Sequence, residues 1–237
     1  MSLPNYTIRV SSRAQKVSLH VSTLGAIEVV VPVGFDLSRI PDLIFRKQSW
    51  LKSALEKVAS VRALPHPATL SSCPEQVSLL AIGKIWQIEC QPTQTLQLSW
   101  RDRGNNCILL QGNTQDIKLC QKALRLWLAR IAHQYLVPWL YAVSRQHQLP
   151  FRKASVRGQK TLWASCSQHH AISLNYKLLF LPSPLVEYVF THELCHTVHL
   201  NHSPKFWKLV GQYETNYKQL DQELRTAWSY VPTWVEA

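Results

Sequence analysis

The chain has 237 residues, of which 46% are hydrophobic and nine are tryptophan, so it can bury a substantial core and is not a disordered or low-complexity sequence. Lys and Arg number 26 against 14 Asp and Glu, a net charge of +12. Such a field attracts nucleic acid or other acidic partners. No run approaches the length of a membrane span, and Met1 to Asn5 lacks the apolar core of a secretory signal. The six cysteines are scattered with no CxxC pair, which suits reduced thiols in a cytoplasmic protein better than a disulfide framework.

In chain order, Val17, Leu19 and Val21, then Ile27, Val29 and Val31, alternate with polar residues around Leu24-Gly25, which predicts a hairpin. A helix is expected over about residues 37–59, with Pro41 near its start and Lys47 to Trp50 inside it. Arg62 to Pro74, with prolines at 65, 67 and 74, reads as a linker. Strands follow near Val77–Ala81, Lys84–Cys90, Leu96–Trp100 and Cys107–Leu110. The organisation is therefore an N-terminal β-rich subdomain with one helix, residues 1–112, and a second domain, residues 113–237.

The second domain opens with a long helix from about Gln115. Ile117, Cys120, Leu124, Trp127, Leu128, Ile131 and Tyr135 recur at three- and four-residue steps and form a broad apolar stripe. Pro138 is expected to kink or break it before a continuation towards Gln146. Lys118, Lys122 and Arg125 share a face away from part of the stripe, and Arg152, Lys153, Arg157 and Lys160 follow. A solvated surface is the default reading, with nucleic acid as a candidate partner. Next comes a hairpin, with strands Thr161–Cys166 and His170–Asn175 joined by Ser167-Gln168-His169.

Leu181-Pro182-Ser183-Pro184 then ends the strand, with Ser183 as expected N-cap and Pro184 at the first helical position. The helix that follows carries His192-Glu193-Leu194-Cys195-His196, an HExxH motif. Histidines four apart share one helix face and can reach one metal ion, with the intervening glutamate beside the open coordination position as general base. His199 and His202 compete for the third place. Seven residues of helix between His192 and His199 rise roughly 10 Å, too far for convergence on a tetrahedral ion. If the helix stops near Leu200 and Asn201 adopts the left-handed conformation, His202 swings back towards the other two. His202 is therefore preferred. Ser203-Pro204 starts a closing helix whose Phe206, Trp207 and Val210 should pack on the HExxH helix.

The run HELCH, five residues, then HSPKFW resembles the signature of the YgjP-like metallopeptidase family, related to SprT-like and other zincin proteins. Lys160 to Cys166 and Ile172-Ser173-Leu174-Asn175 resemble the family's KTRWGSC…IxLN segment. Val17 to Val21, Val29 to Pro32, Lys47 to Leu51 and Gly83-Lys84 extend the likeness over most of the chain. Leu162 and Ala164 depart from it, standing where arginine and glycine are usual. The resemblance implies an α+β fold with a C-terminal zincin-like domain, one zinc ion on His192, His196 and His202, and Glu193 as catalytic base. By analogy with zincins, the edge strand around Trp163, Ala164 and Ser165 would bind an extended peptide or protein substrate. His170, Tyr176 and Tyr213 stay open as oxyanion donors.

The expected function is a zinc-dependent hydrolase, foremost a peptidase. Two alternatives are a metal-dependent hydrolase of nucleotide phosphoanhydride bonds and a nucleic-acid-associated zinc protein. An intact Glu193 speaks against the last, because a structural zinc site needs no base.

Overall fold

A computed structural model describes residues 4–12, 14–21, 26–62 and 73–236. It divides into two compact units, residues 1–66 and 67–237. The boundary expected at 112/113 falls inside the second unit. The Leu24-Gly25 turn and most of the proline-rich linker lie outside the described residues.

In the first unit, β1 (Tyr6–Ser11) and β2 (Ser18–Val21) flank β3 (Ile27–Pro32). β2 and β3 form the expected antiparallel pair, whereas β1 runs parallel to β3 and was not anticipated. The expected single helix is two, α1 (Ile40–Arg46) and α2 (Gln48–Arg62), after a 3-10 turn at Leu37–Arg39. The chain leaves helical geometry at Lys47 (φ −101°, ψ 12°). That break lets Ile40 and Ile44 of one helix and Leu51 of the next enter a single core with Ile27, Val29 and Val31.

The second unit begins with β4 (Gln76–Leu79), β5 (Lys84–Pro92), β6 (Leu98–Gly104) and β7 (Cys107–Gly112), in the order β4-β5-β7-β6. Asn105 and Asn106, both with positive φ (50° and 54°), make the tight β6–β7 turn. α3 (Ile117–His147) starts on Asp116, whose carboxylate accepts from the amides of Lys118 and Leu119 at 2.9 and 3.2 Å. Pro138 does not end this helix. Leu136 and Leu140 on either side of it are fully buried while Pro138 and Gln134 are exposed, so the carbonyl left without a donor belongs to a residue on the solvent side of the helix. Core packing on both sides outweighs the lost hydrogen bond. Lys118 and Lys122 are solvated, as expected.

β8 (Lys153–Arg157), β9 (Ala164–Cys166) and β10 (Ala171–Asn175) form a third sheet in the order β8-β10-β9, and β8 was not anticipated. β9 is shorter than the expected strand from Thr161. The Asn175 side chain, wholly buried, donates to the carbonyls of Gln159 and Leu162 at 2.9 and 2.8 Å, holding residues 159–162 in a loop. α4 (Ser183–Cys195), α5 (Pro204–Tyr213), α6 (Tyr217–Leu224) and α7 (Thr233–Glu236) complete the unit. One core joins Trp86 and Ile88 of β5, Leu124, Trp127 and Leu128 of α3, Leu174 of β10 and Val189, Phe190 and Leu194 of α4. Each such side chain contributes about 1.5–3 kcal/mol on burial. The fold is α+β, as expected. No helix among the described residues is long and apolar enough to cross a membrane.

Candidate metal centre

α4 is buried along most of its length, through Leu185, Val186, Tyr188, Val189, Phe190, Leu194 and Cys195. Ser183 is its first residue rather than its cap. The carbonyl of Pro182, on extended backbone, takes the first helical bonds from Leu185 and Val186 at 3.0 and 3.3 Å. At the other end the helix stops at Cys195, with His196 as C-cap.

The chain then turns within four residues. Thr197 and Val198 donate to the carbonyls of Leu194 and Cys195 at 3.0 and 3.1 Å, and the Thr197 hydroxyl donates to Leu194 at 2.7 Å. This tight turn reverses the chain earlier than expected, and Asn201 is not left-handed. Ser203 caps α5, its hydroxyl oxygen accepting from the Phe206 amide at 3.5 Å.

These elements bring His192, His196 and His202 together. One ligand nitrogen from each lies within 4.8 Å of the others, and they are the only such group of three among the described residues. The Nε2 atoms of His192 and His202 are 3.0 Å apart. Two imidazoles on a tetrahedral zinc, each with a Zn–N distance of about 2.0–2.1 Å, place their nitrogens roughly 3.3 Å apart. The donor set therefore fits such an ion. The His196 Nδ1–H donates to the His199 carbonyl at 2.9 Å, which leaves Nε2 its lone pair for a metal. His199 thus acts through its backbone, and its ring is not in the group. Phe206 stacks on the His196 ring (centroids 4.4 Å, 23°) and meets His202 edge-on at 4.9 Å, so α5 braces the cluster.

Electrostatics keep two of these rings neutral, as metal ligation requires. Burial pushes His192 down to about 4, with the neighbouring His196 and His202 adding to the shift and Asp221 opposing it. Burial also lowers His196. Asp221, on α6, accepts from the Tyr188 hydroxyl at 3.2 Å and pairs with Arg225 at 2.8 Å.

Glu193 is 7% exposed. It accepts a hydrogen bond from the Cys166 backbone N–H of β9, while its Oε2 has no partner among the described residues. Burial raises its carboxyl to about 8, against the Cys166 bond, which lowers it. A buried carboxylate oxygen without a protein partner requires an explanation, and a water or a reacting group supplies one.

Nothing in the sequence announced the Cys166 contact, because a backbone amide carries no residue signature. Its origin is the ladder. Ser167 and Asn175 amides donate to Ala171 and Trp163 carbonyls at 2.9 Å, so the odd-numbered residues of β9 face β10. The main-chain groups of Ala164 and Cys166 then point to the free edge. Trp163 and Ala164 are themselves buried, and Trp163 stacks on Trp228 (4.0 Å, 19°). Ser165 is half-buried. Of the three oxyanion candidates, His170 sits in the exposed turn with φ 56°, Tyr213 lies against His147 with ring centroids 4.4 Å apart and tilted by 36°, and Tyr176 is in the core against Gly158.

A pH signature follows for the metal-stripped protein. Glu193 keeps its proton in the folded state up to about 8 but loses it near 4.5 when unfolded, so its burial lowers stability as pH rises between those values. His192 has the opposite sign. It is neutral in the folded state down to about 4 while the unfolded ring charges below 6.5, so it lowers stability as pH falls through that window. Only Glu193 contributes between pH 6.5 and 8. Over that interval, metal-stripped wild type should lose about 2 kcal/mol relative to Glu193→Gln, at about 1.4 kcal/mol per pH unit. Urea midpoints in chelator at the two pH values check this, and parallel curves for the two proteins would refute it.

No curated protein matches the chain. Among solved structures, it is similar to the metallopeptidase zymogen abylysin of Pyrococcus abyssi, with 22% identity, a TM-score of 0.34, and coverage of 37% of this chain and 89% of that one. It is also similar to the metallopeptidase zymogen jannalysin of Methanocaldococcus jannaschii, with 18% identity, a TM-score of 0.32, and coverage of 36% and 88%. The family model described as YgjP-like, metallopeptidase domain, matches residues 15–227, a span that holds both the histidine cluster and the β9–β10 hairpin. By that match the chain belongs to the YgjP-like metallopeptidase family.

Proposed function

We propose that the protein is a zinc-dependent peptidase in which His192, His196 and His202 hold one ion and Glu193 is the general base. The observation that carries this reading is the convergence of three imidazoles on one point, next in sequence to a buried carboxylate with an unpartnered oxygen. When bound, a zinc ion supplies Lewis acidity, lowering the pKa of water towards about 7 and polarising a carbonyl.

The protein's own groups do the rest. Glu193, fixed by the Cys166 amide, takes a proton from water through Oε2 and delivers it to the leaving amine nitrogen. The outward main-chain groups of Ala164 and the carbonyl of Cys166, whose N–H is taken by Glu193, pair with an extended peptide, in the manner of strand addition to a sheet edge. Because Trp163 is buried against Trp228, this binding depends on backbone rather than on an exposed aromatic. Six unbridged cysteines favour a cytoplasmic setting.

The test is metal analysis of the purified protein with hydrolysis assays on a fluorogenic peptide library and on nucleoside triphosphates. About one zinc per chain and cleavage of peptides alone are expected. Nucleotide hydrolysis without peptide cleavage, or no retained divalent metal, would overturn the proposal.

A further inference from the structure

Away from the histidine cluster, three of the six cysteines meet at one end of the four-stranded sheet. Cys73 lies just ahead of β4, Cys90 is in the outer half of β5, and Cys120 is in the first turn of α3. The β4–β5 register pairs Gln76 with Gln87, and the Ile88 amide donates to the Glu75 carbonyl at 2.8 Å, one step beyond the end of β4. β4 begins at Gln76, and the same register carried back three residues along the chain would bring Cys73 opposite Cys90. Cross-strand neighbours have Cβ atoms about 4.5–5.5 Å apart, close to what a disulfide bridges. Consistent with this, the thiols of Cys90 and Cys120 are near enough to Cys73 to perturb it. Cys90 shares its strand face with Trp86 and Ile88, the face that α3 covers.

The three thiols differ in access. Cys90 is exposed, Cys73 is half-buried, and Cys120 is buried with its thiol donating to the Thr114 carbonyl at 3.3 Å. Cys120 is thus enclosed and already engaged. Three thiolates on one soft metal are not favoured either, because the histidines are the only group of three ligand atoms within 4.8 Å among the described residues. A two-cysteine couple remains.

We propose that Cys73 and Cys90 are a reversible dithiol–disulfide pair, oxidised by a low-molecular-weight disulfide such as oxidised glutathione. The Cys90 thiolate attacks one sulfur of the small disulfide, forming a mixed disulfide and releasing one thiolate. The Cys73 sulfur, after giving up its proton, attacks the Cys90 sulfur and expels the second thiolate. Two protein thiols lose two protons and two electrons, and the oxidant is reduced to two small thiols. Burial raises the Cys73 thiol, so the first attack falls to Cys90 and the second step is the slow one. The bond ties the chain entering β4 covalently to the outer half of β5.

The experiment treats the full-length folded protein with glutathione buffers of increasing oxidation and maps disulfides by proteolysis and mass spectrometry under acid quench. Wild type should yield a peptide pair joined through Cys73 and Cys90, two hydrogens lighter than its reduced parts and restored by reduced glutathione. Cys73→Ser should instead accumulate a glutathione adduct on Cys90, which reads out the missing second step. A wild-type bridge from Cys73 to Cys120, or a glutathione adduct that persists on Cys90 in wild type, would overturn the proposal. The map is read on wild type, so it stands even if a variant folds poorly.

Discussion

Glu193→Gln should lower peptide hydrolysis by about 10²–10⁴-fold while leaving the bound metal in place. The amide is isosteric, and its oxygen can still accept the Cys166 N–H, so the geometry of α4 against β9 is kept. What it cannot do is accept a proton at Oε2, the atom that has no partner among the described residues. The buried carboxylate is also a liability to the metal-free fold, so the variant should be no less stable than wild type at pH 8. That combination of retained fold, retained metal and lost turnover separates a base from a structural residue. The measurement is kcat/KM on a peptide substrate with metal content determined on the same sample. Activity within a few-fold of wild type would remove Glu193 from the chemistry.

His202→Ala should weaken metal binding by on the order of 10³-fold, since a bound structural zinc has an apparent free energy of about 10–16 kcal/mol shared among its ligands. His202 is exposed and follows a turn held by backbone bonds and Thr197, so its loss should leave the core intact. His199→Ala is the informative control. Its carbonyl, which orients His196, survives the substitution, so affinity should stay within a few-fold of wild type. Competition with a chromogenic chelator measures both variants. Metal loss in His199→Ala with retention in His202→Ala would reverse the ligand assignment.

The site was legible where its residues are close in sequence. The i, i+4 spacing of His192 and His196 is a property of any α-helix, and Ser203-Pro204 marks a helix start by local capping chemistry. Helical rise favours His202 over His199 only if the helix runs on; it stops at Cys195, and His199 instead lends its carbonyl to His196. The turn differs from the left-handed one considered at Asn201, since hydrogen bonds at Thr197 and Val198 reverse the chain without a left-handed residue. β1 and β8 left little trace. Each is a short edge strand paired in parallel to a segment well along the chain, and neither alternates cleanly between buried and exposed positions.

By itself, the sequence determined the HExxH helix, the β9–β10 hairpin in outline, the long α3 stripe and the α+β class, because each rests on periodicity or capping within a few residues. Only the tertiary structure decided which groups support the site: the Cys166 amide on Glu193, the His199 carbonyl on His196, the Phe206 ring beneath the imidazoles and the Trp228 ring over Trp163. It also decided that α3 runs through Pro138. Backbone donors and packed rings are chosen by proximity in the folded chain, and proximity between distant segments has no local signature in the order of residues.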